Sequence, residues 1–212
     1  MKLPWKISRD PFIRLSDLSR AAGSYTLPES DIRYAVTGDY ADRARNHCAC
    51  VCCVNLVLFF RALEEKSAPS PVRRMTREER EALKRSRAVY RDALFERIHE
   101  RLGNGPVFSI RREALRLLEE NGFEAGILRI RPSDREGMIR ALDRGIPLAL
   151  LLRISPFNWH WVLAVGWRVQ EDGTFLLEVA DSWNPRSDRF LEMKGGLFPG
   201  VLTVTGFKNK NE

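Results

Sequence analysis

The chain lacks any apolar run near the roughly 20 residues that a membrane-spanning helix needs. Its longest apolar stretches, around Cys50 to Phe60 and Ile146 to Leu152, are shorter and end in polar residues. The N-terminus is equally poor in apolar residues: Lys2 and Lys6 are followed by Arg9, Asp10, Arg14 and Asp17, where a secretory signal would be hydrophobic. A cytoplasmic protein with no membrane partner is expected. Cysteine is scarce and clustered. Cys48, Cys50, Cys52 and Cys53 lie too close together to tie distant segments, which excludes a disulfide scaffold and makes reduced thiols the expected form. A zinc site built from these four is not expected, because successive ligands on one helix point in different directions and zinc's tetrahedron is usually closed by ligands from another segment, and nothing further supports a cuprous ion. No metal or other cofactor is implied. Internal repeats and low-complexity tails are absent as well.

What is present is a globular composition. With 44% hydrophobic and 30% charged residues, the 212-residue chain is long enough for one domain with a packed core. The formal net charge of +7 suggests nucleic acid at first sight. Yet the arginines alternate with acids, as in Arg77-Glu78-Glu79-Arg80-Glu81, the pattern of a solvated helix face, so no nucleic-acid partner is expected.

Along the chain, Pro4, Pro11, Gly23 and Pro28 interrupt any period, so residues 1–30 read as an irregular lead-in to a single domain over 31–212. Ile32 to Val36 reads as a short strand. Cys48 to Leu63 is apolar on every side, the mark of a buried helix. Ser67 to Pro71 reads as a surface connection. Thr76 and Glu79 have capping-box spacing and open a helix to about Leu102, which Gly103 stops. Ser109 is the expected cap of a third helix ending at Asn121-Gly122, and Ser133 with Glu136 the expected cap of a fourth ending near Gly145. Strands are expected over 123–130, 146–154, 159–169, 174–181, 189–193 and 201–207, with a hairpin turn at Asp172-Gly173. Helices first and strands joined by short turns last give an α+β fold with an antiparallel sheet.

Three residue types then stand where chemistry can use them. Cys48 falls at the start of the buried helix, where unpaired amides and the helix dipole favour a thiolate, lowering such thiols to roughly 3.5–7.5. Cys50, Cys52 and Cys53 lie inside the helix and read as small hydrophobes. His160 sits on a strand whose alternation puts Trp159, Trp161, Leu163, Val165 and Trp167 on the other face. His99 belongs to the charged helix as a solvated residue, and His47 points away from Cys48. Asp181 ends the next strand; a tight hairpin sets it opposite Ala164 and diagonal to His160, which a longer loop or a bulge would repair. Asn184 is the rival third member, and a turn-capping carboxylate is the structural alternative for Asp181. Thiol, imidazole and carboxylate in this order can form a nucleophile, its base and an orienting group.

Asn46-His47-Cys48-Ala49 before an apolar helix, His160-Trp161-Val162-Leu163-Ala164-Val165-Gly166-Trp167, and Ala180-Asp181-Ser182-Trp183 together resemble a papain-like cysteine peptidase. The likeness is nearest to the bacterial double-glycine leader peptidases of bacteriocin exporters and spans about residues 32–207. It implies a papain-like fold, with an N-terminal helix carrying the nucleophile packed on a C-terminal antiparallel sheet. It also implies thiol-dependent hydrolysis of a peptide or protein, with Cys48 as nucleophile, His160 as base and then acid, and Asp181 as orienting residue. The chain departs from the family in following its cysteine with Ala49-Cys50 and in having Asp42 where the oxyanion glutamine stands; Asn46, beside the Cys48 amide, is the donor in its place. An acyltransferase using the same triad, or a non-catalytic peptide-binding module of the same fold, are the alternatives.

Overall fold

In the computed structural model, residues 11–26, 32–67, 76–186, 188–194 and 200–210 are described. They form a mixed α+β fold of four α-helices and one eight-stranded sheet in which every pairing is antiparallel. The helices are α1 (Cys48–Ser67), α2 (Arg77–Leu102), α3 (Arg111–Glu120) and α4 (Arg135–Asp143). The strands are β1 (Phe12–Arg14), β2 (Ala21–Thr26), β3 (Ala125–Ile130), β4 (Leu148–Ser155), β5 (Asn158–Gln170), β6 (Phe175–Ala180), β7 (Arg189–Glu192) and β8 (Gly200–Asn209). Their order is β1-β7-β6-β5-β4-β8-β3, and β2 pairs with the distal half of the long strand β5.

The described part of the lead-in is therefore not irregular. β1 pairs with β7 and β2 with β5, so residues 11–26 belong to the same sheet as the rest; residues 1–10 and 27–30 lie outside the described residues. The connection expected from Ser67 to Pro71 lies outside them beyond Ser67. Residues 32–36 form no strand. Instead Asn55, fully buried in α1, acts as a substitute backbone: Ala35 N donates to its Oδ1 at 2.7 Å and its Nδ2 donates to Ala35 O at 3.1 Å. A buried amide that satisfies both peptide groups of one residue clamps that segment to the helix.

Helix α1 is the centre of the core. Cys50 through Val54, Leu56, Val57 and Phe59 are all at most 1% exposed, between β5 on one side and α2 and α3 on the others. Its apolar surface on every side is satisfied by contact on every side. Helix α2 has the expected capping box, Thr76 accepting from Glu79 N and Glu79 from Thr76 N. Two other caps differ: α3 starts after Ile110 with no side-chain cap, so Ser109 is not its cap, and α4 is capped by Asp134, not Ser133. Asp134 Oδ1 accepts from Gly137 N at 2.8 Å, one residue later than the Ser133 reading.

The β5–β6 hairpin turns through Glu171, Asp172 and Gly173, with Gly173 at φ +82°. Farther along, β5 skips a residue at Val165, between the pairs Ala164↔Val179 and Gly166↔Glu178. This bulge breaks the parity expected for the strand. Trp161 donates its indole N–H to Val107 O between α2 and α3, whereas Trp167 donates to Asp143 at the end of α4.

Candidate functional site

Cys48 is the first residue of α1, whose turn closes by Val51 N donating to His47 O. The approach to this turn is fixed on both sides. Asn46 takes φ +51° and accepts from Gly105 N, while the His47 ring is buried against Tyr40 and Phe95 and its Nε2 donates to Thr37 O at 3.0 Å. His47 thus points away from the thiol, towards the 3-10 turn at Thr37–Tyr40. Cys48 is half-buried, and Cys50, Cys52 and Cys53 are buried. The Cys52 thiol donates to Val162 O at 3.6 Å, so this face of α1 runs along β5.

The Cys48 thiol is pushed up from its ordinary value, because burial outweighs the support that the amides of Trp161, Ala49 and Cys48 itself give a thiolate. This corrects the expectation of a lowered thiol. A helix terminus contributes about 0.3–1 kcal/mol at ordinary exposure, less than a tenfold change in acidity. Desolvation disfavours the charged thiolate and outweighs the helix terminus here. Cys50, deeper in the helix, is pushed up to about 12, burial again being the largest cause.

His160 lies on β5 next to Trp161, the residue whose amide supports the Cys48 sulfur. Its ring is buried. Nε2 sits 2.6 Å from the main-chain carbonyl oxygen of Asp181. A carbonyl only accepts, so Nε2 carries the proton and the neutral ring keeps its lone pair on Nδ1. Burial lowers the imidazole to about 4, against the opposing pull of the Asp181 carbonyl. The Trp183 ring stacks on His160 at 4.3 Å between centroids and 23° between planes, and Phe12 meets Trp183 edge-on at 5.5 Å.

The structure brings Asp181 to His160, but through its carbonyl. The three-residue turn and the Val165 bulge move Asp181 one step beyond the Leu163↔Ala180 pair, diagonal to His160 across the ladder. Its fully buried carboxylate turns elsewhere: Oδ1 accepts from Trp183 N at 2.9 Å and Asn184 N at 2.7 Å, and Oδ2 lies 3.7 Å from Arg189 Nε. The orienting carboxylate is therefore corrected to a turn-capping one. It builds the tight loop in which Ser182 takes φ +64° and from which the Asp181 carbonyl is aimed. Asn184, the rival third member, is engaged with Asp188 through Nδ2 at 2.7 Å.

Two positive-φ residues other than glycine occur among the described residues, Asn46 and Ser182, and they flank Cys48 and Asp181. Such strain persists only where surroundings enforce it. Here the two loops are stitched to one another: Thr37 N donates to Ser182 O at 2.8 Å, Tyr34 N to Pro185 O at 3.0 Å, and Thr37 O accepts from His47. The sequence did not single out Asn55, Thr37 or Arg189 as supports of this arrangement. The Asn46 side chain is exposed at the helix mouth. His99, expected to be solvated, is half-buried, stacked on Phe95 and bonded to Asn104. Among the described residues no cluster of His, Cys, Asp and Glu could hold a metal ion, and no helix is long and apolar enough to cross a membrane. No family model matches the chain, and no curated protein is similar to it in sequence.

Proposed function

We propose that the protein is a cysteine-dependent hydrolase of papain-like fold acting on a peptide or protein, with Cys48 as nucleophile and His160 as its base. The observation that carries this reading is the Asp181 carbonyl on His160 Nε2, which leaves Nδ1 as the basic nitrogen of a residue adjoining Trp161, whose amide supports the Cys48 sulfur. With the imidazole lowered to about 4 and the thiol held above its ordinary value, the resting pair is neutral. The proton therefore leaves Sγ for the imidazole as sulfur attacks the substrate carbonyl carbon, and does not leave beforehand. The resulting imidazolium protonates the departing amine as the C–N bond breaks. Water, deprotonated by the same ring, then cleaves the thioester. The Cys48 amide, with Asn46 beside it, supplies donors for the oxyanion. Trp183 keeps water from the His160–Asp181 contact.

A second reading, a non-catalytic peptide-binding module of the same fold, is favoured by the raised thiol and by the carboxylate's engagement with the loop. The two separate on one experiment. The folded protein and its Cys48→Ala and His160→Ala variants are incubated with a peptide library and the products read by mass spectrometry. The hydrolase reading expects new termini that vanish in both variants. Cleavage absent from the unaltered protein, or surviving in Cys48→Ala, overturns it; products carrying an added amine at the new carboxyl end turn it to acyl transfer.

A further inference from the structure

A second concavity lies on the sheet away from Cys48. Cross-strand register sets Thr26, Gly166, Glu178 and Phe190 in one row, through the pairs Thr26↔Gly166, Gly166↔Glu178 and Glu178↔Phe190. Ser24 faces Arg168 in the next row on the same side. Gly166 lets the strands approach closely in the middle of the first row: a Cβ there would lie 2.7 Å from Tyr25 O and 3.1 Å from Glu178 Oε2. Along these rows, lined by Thr26, Glu178, Ser24 and Arg168, lies a cavity of about 290 Å³, walled by Leu15 and Phe190 on its apolar side and by Arg186 and Asp188 on its loop side.

The cavity presents two carboxylates, Glu178 and Asp188, and two guanidinium groups, Arg168 and Arg186. Three of these are held in place. Thr26 Oγ1 donates to Glu178 at 2.6 Å, Asn184 Nδ2 to Asp188 at 2.7 Å, and Arg168 Nη2 to Ser19 O at 2.6 Å. Among the described residues the buried Arg168 Nε finds no hydrogen-bond acceptor. That nitrogen is sealed from solvent and does not itself face the cavity; what the cavity offers a ligand is its opposite charges, the Glu178 and Asp188 carboxylates and the Arg168 and Arg186 guanidinium groups. An anion alone would meet the two carboxylates, and a cation alone the two guanidinium groups. A volume at the low end of the roughly 300–1,000 Å³ usual for ligand sites excludes a long peptide.

We propose that this cavity binds a small zwitterion with an apolar side chain, of the class of a free apolar α-amino acid. The α-carboxylate pairs with Arg168, the α-ammonium with the carboxylates of Glu178 and Asp188, and the side chain packs against Leu15 and Phe190. Cys48 and His160 take no part in this binding.

The test is titration of the full chain with L-phenylalanine, followed by the backbone amide resonances of Thr26, Gly166 and Arg168. Two analogues are titrated in parallel: the amide, which lacks the carboxylate, and the N-acetyl derivative, which lacks the ammonium. Saturable shifts with the amino acid, and at least tenfold weaker binding of both analogues, are expected. Arg168→Gln and Glu178→Gln are each expected to weaken the amino acid at least tenfold. No saturation by roughly 10 mM, or equal binding of all three compounds, overturns the proposal. Because the analogues are tested on the unaltered chain, the result stands even if a variant fails to fold.

Discussion

Helices α1 and α2 pack against each other yet are held by opposite means. α1 has no acidic residue in its first turn and is buried from Ala49 to Val57, so over that stretch its stability comes from what surrounds it. α2 carries its own support: a capping box, Glu78 and Glu79 in the first turn, His99 and Arg101 in the last. Ion pairs add to it, Lys84 with Glu81 along the helix and Arg87 with Glu65 across to α1. The difference bears on the candidate nucleophile. A thiol at the head of a self-supporting, solvated helix would feel mainly the dipole, whereas Cys48 heads a helix that exists only because it is buried. The same burial that forms α1 pushes the thiol up.

The contrast between the two helices is undone most severely from inside α1. Phe59, 1% exposed, is expected to cost about 3–5 kcal/mol on Phe59→Ala, read as a lowered midpoint in urea. Asn55→Leu keeps the volume but strands the buried N–H and C=O of Ala35, and a loss of roughly 2–4 kcal/mol is expected. Because Ala35 lies just ahead of the turn that carries Thr37, this variant should also slow any Cys48-dependent reaction measured on the protein that remains folded.

The legibility of the chain follows the same division. Long patterned segments could be read: the apolar run of α1, the capping box of α2 and the strand-forming stretches from Leu148 onward all form the expected elements. β2 could not, because Ala21, Gly23, Ser24 and Thr26 give it no apolar row; its pairing is supplied by β5. Asp134 displaced Ser133 as a cap because adjacent residues of similar capping strength compete and local spacing alone does not choose. The bulge at Val165 carries no residue signature, and it alone decides that Trp167 faces different neighbours from Trp161. At the site, residue types indicated Cys48, His160 and Asp181, but not that Asp181 meets His160 through its carbonyl. Every residue has a carbonyl, so no side-chain pattern can announce that contact.

A pH titration probes the buried side of the contrast at an intermediate magnitude. His160 is neutral in the folded chain down to about pH 4, while the unfolded chain takes up its proton near 6.5. Between these values the unfolded state binds more protons, so stability is complete above about pH 6.5 and falls as pH drops towards 4. The loss amounts to about 3 kcal/mol, each tenfold difference in proton affinity between the two states being worth about 1.4 kcal/mol. Urea midpoints at pH 7 and 4.5 are expected to converge in His160→Gln. His47, also lowered by burial, retains part of the dependence in that variant. An unchanged slope in His160→Gln would show that the imidazole is solvated and would remove the neutral thiol–imidazole pair from the proposed reaction.

The smallest effect belongs to α2. Thr76→Ala removes the acceptor of the Glu79 amide and should cost about 1 kcal/mol. Val89→Ala, on a side chain 71% exposed, should stay within about 0.5 kcal/mol. Both variants should leave alkylation of Cys48 unchanged, because neither alters the burial of the α1 head. The Cys48 alkylation rate itself should keep climbing with pH beyond the range in which an exposed thiol levels off, since burial holds the thiol above its ordinary value. Loss of that climb in Thr76→Ala would mean that the start of α2, although distant in the chain, shields the thiol, and the separation between a self-capped helix and a buried one would no longer hold.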